Sequence, residues 1–355
     1  MALDQYYLLG RSGLRVSRLA LGTMNFGTGG FHAAYGKTEA EARPIFRKYL
    51  DEGGNFVDTA DFYTAGESET ILGKLIAETN SRDRVVLTTK FTNSVDPADP
   101  NAGGNGRKHM VRALEASLRR LGTDHVDLFL LHTWDRITPV EEVVRTLDDL
   151  VRAGKIRYPG LSDVPSWYAA RAQSLTEAHS LAPMVNLQLP YSLVEREIET
   201  EHVPMGQSLG LGITAWSPLA GGILTGKYRD GGTGRLSDGP SWTERTPQVL
   251  APLEEAANKL GVTMAQVALN WVATQPGIAA AIVGASSADQ LGKSMAALDF
   301  EIPAELRALL DEASAVTPSS VYRMFTPAYQ NWIVSPGLKI GDKPAGYAPA
   351  LRNWV

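Results

Sequence analysis

Cysteine is absent from all 355 residues, which excludes disulfides, thiolate nucleophiles and Cys-ligated zinc or iron. Its absence fits a reducing compartment. Histidine is sparse: there are six, at positions 32, 109, 125, 132, 179 and 202, with no His-x-His or His-Glu-x-x-His spacing, which argues against a catalytic metal. Nowhere does the chain approach the roughly 18 consecutive apolar residues of a membrane span. The N-terminal MALDQYYLLGRSG also lacks the basic region and apolar core of a secretion signal. A strong charge of one sign is missing too: the formal balance is -5 with the signs interspersed, so there is no electrostatic footprint for nucleic acid. Arg112, Arg119 and Arg120, on one expected helix, read as a solvated face. The expectation is a cytoplasmic protein that meets a small molecule rather than a nucleic acid or a membrane, with homo-oligomerisation left open.

What is present is a repeat of short apolar runs. RLALGT (18–23), NFVDT (55–59), RVVLTTK (84–90), VDLFLLH (126–132), IRYPGLS (156–162), MVNLQ (184–188), GITAWS (212–217) and AAAIVG (279–284) make eight candidate strands. Their near-continuous apolar character suits parallel strands covered on both faces. Amphipathic helices lie between them. In KHMVRALEASLRRLG, Val111, Leu114, Leu118 and Leu121 share a face and Gly122 supplies the stop. PVEEVVRTLDDLVRAGK places Pro139 at a first-turn position and Gly154 after the last turn. This alternation predicts an α/β fold, a (β/α)8 TIM barrel, with a hairpin around Arg11-Ser-Gly13 plugging its base. A doubly wound sheet is the alternative, weakened because LGTMNFGTGG after the first strand lacks Gly-x-Gly-x-x-Gly spacing. The interval from Ser217 to Gly284 is about twice one βα unit and holds a Gly/Ser-rich loop and two helical patterns, 248–260 and 263–273. A C-terminal extension follows the barrel.

In such barrels the active site lies where the strands end. Polar residues close successive runs here: Asp58, Lys90, His132, Ser162, Gln188 and Ser217, at intervals of 32, 42, 30, 26 and 29 residues. Any one alone reads as a buried group satisfied by hydrogen bonds; Asp, Lys and His converging on one mouth suggest chemistry. Lys90 as an imine-forming amine is opposed by Asp58, which favours the ammonium. Tyr63, shortly after Asp58 in NFVDTADFYTAGESE, offers a proton-transfer alternative, provided a lysine ammonium lowers its pKa from about 10. His132, neutral, would orient a carbonyl oxygen against the phenol. Asp61, Glu67 and Glu69 read as turn and helix-start residues.

GGNFVDTADFYTAGESETILGKL, VVLTTK, VDLFLLHTWD, VRAGKIRYPGLSD, NLQLPYSL, AWSPLAGGILTGKY and AIVGASSADQL, in this order, resemble the aldo-keto reductase family over about residues 5–315. The resemblance implies one barrel domain over 1–355, with its core at about 18–300 and a C-terminal helix and tail over 301–355. It makes Tyr63 the general acid/base, Asp58 and Lys90 its tuning pair and His132 the substrate orienter. It implies a nicotinamide cofactor across the mouth, with NADP(H) favoured and NAD(H) the alternative, and an aldehyde or ketone interconverted with its alcohol. Gly22, Thr23 and Asp58 would lie at the ribose and nicotinamide, Ser162, Asp163 and Gln188 at the carboxamide, and Trp216 on the ring. Ser217, Pro218, Leu219, Gly221, Leu224 and Lys227 would form the pyrophosphate clamp; Tyr228, where a P-loop has Ser/Thr, weakens an ATPase reading. GASSADQL resembles the potassium-channel beta-subunit branch, which implies Lys227, Arg235, Ser286 and Gln290 at the 2′-phosphate, Ser294 near the adenine, and Gly284 among the cofactor residues. Asp163 departs from the family's usual Asn. Met24 and Trp134 are candidates for the substrate pocket, and Tyr322, Phe325, Tyr329 and Trp332 for a cover over the mouth or a subunit contact. A cofactor-sensing accessory subunit with little turnover is the competing function; the lack of an extension before the barrel favours the enzyme.

Overall fold

Each apolar run is short because a barrel strand need only cross the barrel wall, and its alternate side chains turn to opposite faces. The computed structural model describes residues 3–30, 35–229 and 246–334. A hairpin, β1 (Tyr6–Leu8) and β2 (Arg15–Ser17), precedes β3 (Leu19–Gly22), β4 (Phe56–Asp58), β5 (Val86–Phe91), β6 (Val126–Leu131), β7 (Ile156–Ser162), β8 (Asn186–Pro190), β9 (Gly212–Trp216) and β10 (Ile278–Val283). The last eight close into a parallel barrel in the order β10-β3-β4-β5-β6-β7-β8-β9. Each of the eight apolar runs overlaps one of these strands; β5 and β8 run one and two residues past their runs, and β10 starts one residue before its run. The doubly wound alternative fails because β10 pairs with β3 and leaves no sheet edge.

Alternation sorts the barrel's side chains into two layers. Phe56, Val86, Leu128, Leu130 and Ala280 fill the interior, where Leu9 and Val16 of the hairpin segment join them and plug the base. Leu21, Val57, Leu87, Phe91, Phe129 and Leu131 face outward into the larger core beneath the helices. Burying each such side chain removes it from water at a gain of roughly 1.5–3 kcal/mol.

The helices among the described residues are α1 (Glu39–Asp51), α2 (Glu67–Glu78), α3 (Arg107–Leu121), α4 (Val140–Arg152), α5 (Ser166–Ala178), α6 (His202–Leu209), α7 (Thr246–Leu260), α8 (Met264–Ala273), α9 (Ala288–Met295), α10 (Ala304–Ala313) and α11 (Pro327–Val334). None is long and apolar enough to cross a membrane. Gly122 caps α3 in the left-handed conformation, as its position predicts. Pro139 sits one residue earlier than expected: it is the N-cap of α4, with extended ψ of 136°, and Val140 takes the first helical position. Its ring fixes φ without needing helical ψ, so the cap suits it equally.

Candidate active site

Continuing the inward alternation by one step beyond each strand's apolar core brings Gly22, Asp58, Lys90, His132, Ser162, Gln188 and Trp216 to one end of the barrel. Lys90 is fully buried, and its ammonium uses all three donors: Asp58 Oδ1 at 2.6 Å, the Thr59 carbonyl at 2.8 Å and the Tyr63 hydroxyl at 3.2 Å. Asp58's other oxygen, Oδ2, accepts from Gln188 Nε2 at 2.8 Å. That link, 130 residues apart in sequence, was not expected: it commits the Gln188 amide nitrogen to the carboxylate and leaves its carbonyl oxygen for another donor. Thr23 is buried with its hydroxyl turned to the Asp58 carbonyl and the Ser68 hydroxyl, so it holds β3 to β4.

Tyr63 is presented by a tight turn. Thr64 and Ala65 hold φ of 48° and 57°, and Gly66 at 90° starts α2. Non-glycine residues enter this region only under constraint; here the Thr64 hydroxyl is tied to the Phe26 carbonyl at 2.6 Å. Gly27, with φ of 109°, lets the preceding loop pass, since a Cβ there would meet Thr64 Oγ1 at 2.5 Å. Phe62 packs against both the Tyr63 and His132 rings, at centroid distances of 5.1 and 5.2 Å. The Tyr63 and His132 rings are themselves edge-on at 5.8 Å.

Burial disfavours the Lys90 cation, yet Asp58 and the phenol outweigh it and hold the amine's pKa above its ordinary value. His132 is pushed well below its usual value by burial and then by Lys90, so its ring is neutral. Tyr63 differs from expectation: its pKa is raised, because burial and Asp58 outweigh the attraction of Lys90. The phenol keeps its proton near neutrality.

The opposite half of the mouth carries neutral donors. Ser162 Oγ is buried with no hydrogen-bond partner, a donor left for a ligand. Asp163 accepts from Trp216 Nε1 at 3.0 Å, and burial pushes its carboxyl up to about 6. After Trp216 the chain turns through Ser217 and Ala220, at φ of 53° and 49°, and Gly221 and Gly222, so the segment with Pro218, Leu219, Leu224 and Lys227 folds back on itself, the Tyr228 hydroxyl donating to the Gly221 carbonyl at 3.2 Å. Ser286 and Gln290 are joined, Gln290 Oε1 accepting from the Ser286 N–H and hydroxyl at 2.7 and 2.6 Å. Both are exposed beyond β10, with Gly284 before them and Ser294 on α9. Arg235 lies outside the described residues. Met24 is half-buried after β3. Trp134 packs on Trp167 and Tyr168 of α5, at 5.3 and 5.9 Å. The tail reaches the loop before α6, where the Tyr322 hydroxyl donates to Glu201 Oε1 at 3.2 Å.

Three surface readings are corrected. Asp61 is 3% exposed, with neither carboxyl oxygen hydrogen-bonded; burial, then repulsion from Glu69, raises its pKa to about 8. Glu69 is fully buried, accepting from Thr89 Oγ1 at 2.5 Å and Arg120 Nε at 2.7 Å. Arg120 therefore faces inward from α3, while Arg119 stays exposed. Glu67 does serve a turn, its Oε2 accepting from the N–H groups of Thr28 and Gly29.

Residues 18–315 match the model of the aldo/keto reductase family. An uncharacterized oxidoreductase, YrpG, of Bacillus subtilis is 38% identical, with 87% of this chain and 95% of that protein covered. A putative voltage-gated potassium channel subunit beta of Schizosaccharomyces pombe is 34% identical, over 89% and 95%. The norsolorinic acid reductase stcV of Emericella nidulans is 34% identical, over 83% and 77%.

Proposed function

Because the chain belongs to the aldo/keto reductase family and is an oxidoreductase, we propose that it is an NADP(H)-dependent enzyme interconverting an aldehyde or ketone and its alcohol. The observation that carries this reading is the placement of the Lys90 ammonium between Asp58 Oδ1 and the Tyr63 hydroxyl, at 2.6 and 3.2 Å. When bound, the reduced cofactor supplies a hydride to the carbonyl carbon. Tyr63 Oη gives its proton to the carbonyl oxygen as charge develops there, and Lys90 stabilises the phenolate left behind. Asp58 keeps Lys90 charged. Neutral His132, beside the phenol, donates a hydrogen bond to the substrate oxygen and fixes its approach.

The partnerless Ser162 hydroxyl, the carbonyl oxygen of Gln188 and the Asp163 carboxylate fit a carboxamide, and the Trp216 indole fits a flat ring. Lys227 and Arg235 are assigned to the 2′-phosphate, with Ser286 and Gln290 beside it. Changing both cations to Ala should weaken NADPH at least about tenfold more than NADH in equilibrium binding; equal weakening removes them from that role. Met24 and Trp134 are assigned to the substrate pocket, and the protein to the cytoplasm.

Relatives described as channel beta subunits support a second reading, a cofactor-binding accessory subunit with little turnover. A panel of aldehydes, ketones and quinones with each cofactor, followed by dihydronicotinamide absorbance, separates the two. Binding of NADPH without oxidation by any carbonyl would sink the enzyme reading.

A further inference from the structure

Asp163 and Trp216 come from the ends of β7 and β9 and meet across the mouth through the 3.0 Å indole-to-carboxylate hydrogen bond. Asp163 holds φ of 46°, a left-handed conformation that a residue with a side chain adopts only when its surroundings impose it. Its backbone is fixed on both sides: the N–H donates to the Gln188 carbonyl at 3.2 Å, and the carbonyl accepts from Trp134 N–H at 3.4 Å. The side chain is therefore aimed at the indole. Asparagine would accept the same hydrogen bond, so the indole contact does not explain why this position carries a charge.

The titratable groups that interact with it are Lys90 on β5 and Tyr63 on the turn after β4, with Asp58 and His132 beside those two. Asp58 and Lys90 are an ion pair at 2.6 Å, and Lys90 attracts the Asp163 carboxylate only from a distance, more weakly than burial opposes it. Tyr63 keeps its proton and His132 is neutral. Among the described residues no cation forms an ion pair with the Asp163 carboxylate, whose side-chain hydrogen bond is to the neutral indole.

We propose that Asp163 sets the redox preference of the bound nicotinamide, its carboxylate favouring the oxidised, cationic ring over the neutral dihydronicotinamide. This rests on the reading of Trp216 as the platform for that ring. Only the oxidised form carries positive charge on the ring, so a nearby carboxylate in a site of reduced dielectric acts on the two forms unequally. A group that binds one state more tightly shifts the equilibrium between states by that difference. Hydride donation from cofactor held beside Asp163 is thus more favourable than beside a neutral side chain. Because burial raises the Asp163 carboxyl to about 6, the preference fades as the pH falls through that value.

The test measures dissociation constants of NADP+ and NADPH for the full-length protein by equilibrium dialysis, with Asp163→Asn beside it. The ratio of the oxidised-form constant to the reduced-form constant should rise about fivefold to tenfold in the variant at pH 8. In the unaltered protein the same ratio should rise between pH 8 and pH 5, and in the variant it should stay flat. Protonation of the 2′-phosphate, which also falls near pH ~6, is common to both forms and drops out of the ratio. The pH arm needs no substitution and stands if the variant fails to fold. If both forms bind and the ratio is indifferent to the substitution or to pH, the Asp163 proposal is overturned while the cofactor reading survives; if neither form binds, both fall.

Discussion

Strand β5 separates two buried clusters of charge that differ in how they are balanced. Toward the barrel axis, Lys90 faces one carboxylate, and every polar atom has a use: Asp58 accepts from Lys90 and Gln188, and Lys90 donates three times. One residue earlier, Thr89 points the other way, to Glu69 and the single guanidinium of Arg120. Asp61 feels both of these and has no hydrogen bond of its own for its carboxyl. Two acids share one cation there, so one acid stays protonated. On the proposed function the inner cluster holds charge for proton transfer, whereas the outer one ties α2 and α3 to the barrel wall. Composition does not distinguish them; the side of the strand does.

Breaking the inner cluster should remove chemistry and leave the fold. Tyr63→Phe should lower kcat at least about a thousandfold, toward the upper part of the usual hundredfold to ten-thousandfold range for one general acid because the lysine device acts only through it. NADPH binding and the melting temperature should change little. Loss of cofactor affinity with turnover retained would assign Tyr63 to binding instead. The raised Tyr63 pKa adds a pH signature: carbonyl reduction, which needs the phenol, should persist through neutral pH and fall only above about 10. Alcohol oxidation, which needs the phenolate, should climb with pH over the same range.

Breaking the outer cluster should do the reverse. Arg120→Met leaves the fully buried Glu69 beside Asp61 without its cation, and truncating one partner of a buried pair costs about 3 kcal/mol. Denaturant unfolding should register that loss. Turnover per folded molecule should stay within about twofold, since Asp58, Lys90 and Tyr63 keep their partners. A large fall in kcat with unchanged stability would mean that the two clusters are not separate.

How much of this was legible in the sequence follows from the same geometry. The eight strands showed because burial on both faces makes each an apolar run, and Asp58, Lys90, His132, Ser162 and Gln188 stood out by ending those runs. Tyr63 was found through its neighbours and the family resemblance. The outer cluster was misread because Glu69 and Arg120 have the spacing and company of ordinary helix-surface charges, and their burial depends on how α2 meets α3. The Gln188 link to Asp58 and the Trp216 link to Asp163 join residues 130 and 53 positions apart and leave no local pattern. The Tyr63 pKa was misjudged in direction because the sequence shows the lysine but not the depth of burial. The assignment of Arg235 lies outside the described residues.

Asp61 gives the finest test of the comparison. Its carboxyl has a folded-state pKa near 8, above the ordinary 3.8. Between those values the folded chain holds a proton that the unfolded chain has released, so stability falls as the pH rises through this window. The stabilising contribution of the neutral acid is complete below about 4 and lost above about 8. Asp61→Asn, which cannot ionise, should match the original protein in stability at pH 4 and be the more stable of the two at pH 9. Denaturant unfolding of both proteins across that range measures the difference directly. A constant gap at every pH would mean that Asp61 is ionised in the folded state and that the outer cluster, like the inner one, carries its full charge.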